Sequence, residues 1–137
     1  MDQTLQVPFL AYFEPTHQVL LVRFRGKFTI ESTLALNKTA RAVVERYGNV
    51  IAILDFTDIA EFAMDLRDWK ELGHNRRAIR DRRRVLVASE PNVRGMLTLH
   101  GTHQSPSHVD DTSVVRTLDD AFRELGIKAP KFDPLPL

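Results

Sequence analysis

The sequence predicts an α/β fold built on a mostly parallel sheet. Three observations carry the prediction. Short apolar runs rich in β-branched residues recur along the chain, segments with helical spacing of apolar residues stand between them, and capping and stop residues mark most helix ends. The resulting order, β-β-α-β-α-β-α-β-α, predicts a mixed sheet of about five strands with an N-terminal antiparallel hairpin, right-handed crossovers and about four helices. At 137 residues the chain fits one domain, read as residues 1–127, followed by a proline-rich tail, residues 128–137.

Residues 10–13 and 19–24 are apolar runs separated by Glu14-Pro15-Thr16-His17-Gln18, a turn-like segment, and they read as the hairpin. Thr29 caps a helix to about Tyr47, because Leu36, Ala40, Val43, Val44 and Tyr47 recur on one face and Gly48 follows as the stop. Residues 50–54 form a continuous apolar run, suited to a central strand covered on both faces and closed by Asp55. Asp65 caps a second helix with Leu66, Trp69 and Leu72 inward, its end blurred by Gly73 and a run of arginines.

Residues 85–88 form the next strand. Ser89 then caps a third helix, with Glu90 and Pro91 in its first turn and Val93, Met96, Leu97 and His100 inward. Residues 103–113, rich in Ser, Pro, His and Asp, read as a surface loop, and 114–116 as a short strand. Thr117 caps the last helix, whose face is Leu118, Ala121, Phe122 and Leu125 and whose stop is Gly126. From Lys128 onward, Pro130, Pro134 and Pro136 predict no regular structure unless something outside pairs with the tail.

Composition excludes several chemistries. With no cysteine, the chain has no thiol nucleophile, redox thiol, thiolate zinc site or disulfide scaffold. Its apolar runs are too short to span a bilayer, and the first residues carry neither a basic nor an apolar leader segment, so a cytoplasmic protein is expected. The net charge of +1 hides an asymmetry: six arginines and one acid lie between residues 76 and 84, and the remaining chain is net acidic. That patch has two readings. Arg76, Arg77, Arg80 and Arg83 can stabilise a helix end and pair with the acidic body, or they can bind an anion or an acidic partner. Nucleic acid is the weakest version, because aromatic residues do not interleave with the arginines.

The hairpin, the first helix, the run Ile53-Leu54-Asp55-Phe56-Thr57-Asp58-Ile59, and the closing segments Val85-Leu86-Val87-Ala88-Ser89-Glu90 and Arg116-Thr117-Leu118-Asp119-Asp120-Ala121-Phe122 together resemble the SpoIIAA-like branch of STAS domains. The likeness runs from about Phe9 to Ile127. It implies a non-enzymatic protein-interaction module, some members of which bind nucleotides; the related SEC14-type fold carries lipids. It also implies a phosphorylated serine at the start of the helix after the central strand. Here that stretch, Phe62-Ala63-Met64-Asp65-Leu66-Arg67, has no hydroxyl, and the nearest is Thr57.

The switch-loop candidates are therefore Thr57, Asp58 and Asp65, with Asp65 read first as a helix cap and second as a permanent phosphoserine-like charge. Asp55, Asp58 and Glu61 cluster at the carboxyl end of the central strand, where open α/β sheets place ligands, although carboxylates there also cap loops. His100, His103 and His108, with Asp110, form an imaginable metal set whose spacing matches no established signature. No phosphate-cradling loop, nucleophile elbow or zinc-protease motif is present, so no catalytic residue and no cofactor is assigned. The leading expectation is an interaction module that binds another protein, with homodimerisation an option. The alternative is a carrier or sensor of a small apolar or anionic ligand, lipid- or nucleotide-like.

Overall fold

A computed structural model describes residues 9–65, 67–68, 83–98 and 112–136. Its elements are β1 (Phe9–Glu14), β2 (Val19–Phe28), α1 (Ile30–Tyr47), β3 (Ile51–Phe62), β4 (Arg84–Val87), α2 (Pro91–Met96), β5 (Thr112–Val115), α3 (Leu118–Leu125) and β6 (Asp133–Pro134). The α/β class holds, with six strands in place of about five and three helices among the described residues in place of about four. Of the predicted second helix, Arg67 and Asp68 are helical and the remainder lies outside the described residues.

The sheet order is β5-β4-β3-β2-β1-β6. Strands β2 to β5 pair in parallel, and β1 is antiparallel to both of its neighbours. Alternation along the strands sorts the apolar residues onto two faces. Leu20, Val22, Leu54 and Leu86 face α1, through Ala40 and Val43, and the α2 region, through Val93 and Leu97. Val19, Leu21, Ile53, Val85 and Val87 face α3, through Leu118, Ala121 and Phe122. Connections that step the same way with the same hand fall on one face, which is why α1 and α2 share a side. The chain after β5 steps back across the sheet to β6, so α3 covers the opposite side.

Local signals place the helix ends. The Thr29 amide donates to Ser32 Oγ at 3.1 Å, and Gly48, at φ 86°, closes α1 with its N–H on Val44 O at 2.8 Å. In α3, Thr117 Oγ1 accepts from the Asp120 amide at 3.0 Å and Gly126 takes the left-handed conformation. The cap of α2 differs from the expectation: it is Glu90, not Ser89. Pro91 has no N–H to cap and fixes its own φ, so the Glu90 carboxylate serves the next two donors, Asn92 N and Val93 N, both at 3.2 Å.

Three boundaries move for a common reason, the reach of backbone pairing. Asp55 does not close β3, which continues to Phe62 because β2 pairs with it as far as Phe28. The tail is not irregular throughout: Asp133 and Pro134 pair with Phe13 and Tyr12, and Leu135 N–H donates to Ala11 O at 2.9 Å. Proline fits there because a two-residue edge strand needs no ladder donor from it, and the pairing covers the outer edge of β1. The fifth strand likewise starts at Thr112, two residues earlier than its apolar pattern suggests.

Candidate functional site

The carboxyl ends of the parallel strands carry the chemistry-bearing residues. Strand β4 pairs with β3 only as far as Asp55, so residues 56–62 of β3 overhang the sheet and pair only with β2 among the described residues. Within this overhang the register slips twice, each time adding one residue to β3. Such bulges twist a strand and blunt a free edge. They also change the side-chain period, so that Phe56, Ile59 and Phe62, three apart, all pack on the α1 side of the sheet. Phe24, Phe28, Phe56 and Phe62 form an aromatic cluster there, with neighbouring centroids 4.9 to 6.4 Å apart.

On the other face lies a polar group. Asp55, 1% exposed, accepts from Arg23 Nε at 3.2 Å, from the Thr57 amide at 2.9 Å and from the Thr57 hydroxyl at 2.8 Å. Arg23 Nη2 reaches Asp58 at 3.1 Å. The burial of Asp55 follows from its register opposite Arg23 in β2 and Val87 in β4, and three donors compensate its desolvation. Thr57 and Asp58 are thus strand residues, exposed but held, and not a loop. Asp65 is the cap the sequence predicts: its carboxylate accepts from the Asp68 amide at 2.9 Å, and its own amide donates to Asp68 at 3.1 Å. The expected trio of carboxylates does not assemble. Asp55 and Asp58 share Arg23, whereas Glu61 lines a separate groove.

That groove lies between the β3 overhang and α2. Its volume is about 290 Å³, its apolar surface comes from Phe56, Ile59, Phe62, Val93 and Met96, and its rim includes Thr57, Glu61, Ser89 and Glu90. No protein-family model matches the chain, and no curated protein matches it. The groove and the Arg23–Asp55–Thr57–Asp58 group therefore stand on their own geometry.

Arg83 lies elsewhere. It precedes β4, at the amino end of that strand, and pairs with Glu124 at 2.8 Å and with Ser113 Oγ at 3.2 Å; Ser113 Oγ also donates to Glu124. Its charge is spent on α3, and six residues of extended chain, roughly 20 Å, separate it from Ser89 at the groove. Arg76, Arg77 and Arg80 lie outside the described residues, as do His100, His103, His108 and Asp110. Among the described residues no group of three or more His, Asp or Glu side chains is placed to hold a metal ion, and no helix is long and apolar enough to cross a membrane.

Sequence reasoning reached Asp55, Thr57, Asp58 and Asp65 and missed the aromatic wall of the groove. The three-residue spacing of Phe56, Ile59 and Phe62 was the available signal. It is unreadable as a strand without knowing that two bulges intervene.

Proposed function

We propose that the chain is a non-enzymatic, cytoplasmic interaction module of the STAS/SpoIIAA-like type without the usual phosphoacceptor serine, acting by binding another protein, with a second copy of itself the first partner to test. One observation carries the reading. Thr57, Asp58 and Asp65 are exposed at the carboxyl end of the sheet, yet each is held by a neighbour: Thr57 by Asp55, Asp58 by Arg23 and Asp65 by Asp68. A polar surface fixed before contact loses little side-chain freedom on binding, which favours recognition of a complementary protein surface. Native mass spectrometry of the gently purified full chain tests it. The expected species is a dimer of bare chains that separates on dilution. A monomer at every concentration carrying a stoichiometric small molecule overturns the reading.

A second reading, carriage or sensing of a small ligand, is favoured by the groove. Its 290 Å³ falls just short of the roughly 300–1,000 Å³ typical of small-molecule sites, and apolar side chains share its wall with Thr57, Glu61, Ser89, Glu90 and Asn92. That size suits one compact molecule rather than a long acyl chain.

A further inference from the structure

We infer that the outer edge of β1 is a strand-acceptor surface for the tail of a second copy of this chain, so that two copies associate by exchanging residues 132–135 about a strained hinge at Ala129. The inference rests on the reading in which a second copy is the first partner, and says how that partner is held. The surface fits this segment, because each chain seats its own there. Phe13 and Tyr12 of β1 pair with Asp133 and Pro134, and Leu135 N–H donates to Ala11 O at 2.9 Å. The segment grips both faces of the sheet. Phe132 packs on the α3 side, its ring centroid 5.9 Å from that of Phe122, whereas Leu135 packs on the α1 side. An identical segment from a second copy makes the same contacts, so exchange gives up none of them.

The connection to α3 supplies a reason to open. Between the buried Ile127 and Phe132 runs the link Lys128-Ala129-Pro130-Lys131, in which Lys128, Ala129 and Lys131 are exposed. In returning the chain to β1 over that length, Ala129 takes φ 46°, in the left-handed region. Its Cβ disfavours that region, and the ring of Pro130 pushes the residue before it toward extended backbone. Opening lets Ala129 extend, which satisfies both restraints in each of the two copies. A short link that stores strain in the closed form invites exchange. Fully stretched, this link spans at most about 14 Å, so exchange brings the end of α3 in one copy close to β1 of the other and makes a compact pair. Pro134 disfavours growth beyond the pair. The Leu135 N–H faces β1, so the nitrogen of Pro134, one residue away, faces outward and has no hydrogen to offer a further strand.

The chain has no cysteine, so a pair placed at Tyr12 and Pro134, which stand directly opposite each other, reports exchange without interference. The full chain carrying Tyr12→Cys and Pro134→Cys is concentrated under reduction, separated by size and then oxidised. Dimer fractions are expected to yield covalent dimers that persist in denaturant without reductant, and monomer fractions to yield single chains closed by an internal disulfide. The parent chain, whose folding neither substitution burdens, gives a second readout. Labelled and unlabelled protein are mixed dilute and concentrated together, and isotope-filtered NOEs are expected between Leu135 of one copy and Ala11 of the other. Ala129→Gly, which adopts left-handed backbone without strain, is expected to weaken dimerisation about tenfold or more. Dimers whose tails stay on their own chains by both readouts overturn the exchange and leave the second-copy reading standing. An unchanged dimer affinity in Ala129→Gly overturns the strained hinge. A monomer at every concentration overturns the exchange and the second-copy reading together.

Discussion

The sheet is built differently at its two ends. At the amino end of the parallel strands the β1–β2 turn is fastened beneath α1: Gln18 Nε2 donates to Tyr47 O at 2.7 Å, Ile51 N–H donates to Gln18 O at 3.0 Å, and Phe13 stacks on Tyr47 with centroids 4.1 Å apart. At the carboxyl end, β2 and β3 outrun β4 and leave a groove beside α2. Both ends use a glutamate to organise backbone donors. Glu14, 3% exposed, serves Thr16 and His17 within the turn, whereas the exposed Glu90 serves Asn92 and Val93 at the mouth of the groove. The same local device therefore closes one end and leaves a carboxylate facing a cavity at the other. Buried polarity here is structural, and exposed polarity at the strand ends is available for recognition.

Matched truncations give the strongest test of this difference. Phe13→Ala at the closed end removes a buried ring and is expected to cost about 3–5 kcal/mol, whereas Phe62→Ala in the overhang, half-buried, is expected to cost about 1–2 kcal/mol. Urea unfolding of both variants checks this, and equal losses would show that the overhang is as much core as the closed end. Next in size is Arg23→Ala. It leaves Asp55 buried with only the Thr57 donors, and a loss of about 1–3 kcal/mol is expected in the same measurement. A neutral result would mean that the polar group beside the overhang contributes orientation without stability.

How much of this was legible depended on whether a signal was local. Thr29, Gly48, Thr117 and Gly126 mark their helix ends within a few residues, and the run 50–54 betrays a strand covered on both sides. Three features needed the partner strand. The continuation of β3 past Asp55 depends on pairing with β2, the β6 contact depends on the exposed edge of β1, and the shared face of Phe56, Ile59 and Phe62 depends on two register slips. The candidate site divides the same way. Asp65 was readable as a cap because its partner, Asp68, is three residues away. The Arg23–Asp55 pair, which joins adjacent strands, and the Glu61–Glu90 rim, which joins a strand to a helix, were not readable from spacing.

A smaller perturbation sharpens the picture of the closed end. Gln18 has φ 54°, an uncommon conformation for a residue with a side chain, and its amide group donates to the last carbonyl of α1, Tyr47 O, and to Asn49 O just beyond the helix. Gln18→Ala keeps the backbone requirement and removes the donor. A loss of about 1 kcal/mol is expected, with faster amide exchange at Gly48 and Ile51 reporting where the end loosens. Unchanged exchange would assign the fastening to the Phe13–Tyr47 stack and the backbone bond from Ile51 N–H to the residue-18 carbonyl.

The smallest effect is a pH dependence at the same turn. Burial pushes the Glu14 carboxyl up, but hydrogen bonds from the His17 backbone and ring and from Thr16 outweigh it, so the group sits below its ordinary value of 4.5. Because these influences oppose one another, only their difference reaches the stability. A carboxyl depressed in the folded chain stabilises it fully above pH 4.5 and loses that contribution as the pH falls through the folded value. Urea midpoints are therefore expected to drop across this acid window. Glu14→Gln, which takes up no proton there, is expected to be less stable than the parent at neutral pH, with the gap narrowing as the solution is acidified. A gap independent of pH would mean that the turn is held by the shape of its hydrogen bonds and not by the charge of Glu14, and would remove one contrast between the buried glutamate and the exposed one at the groove.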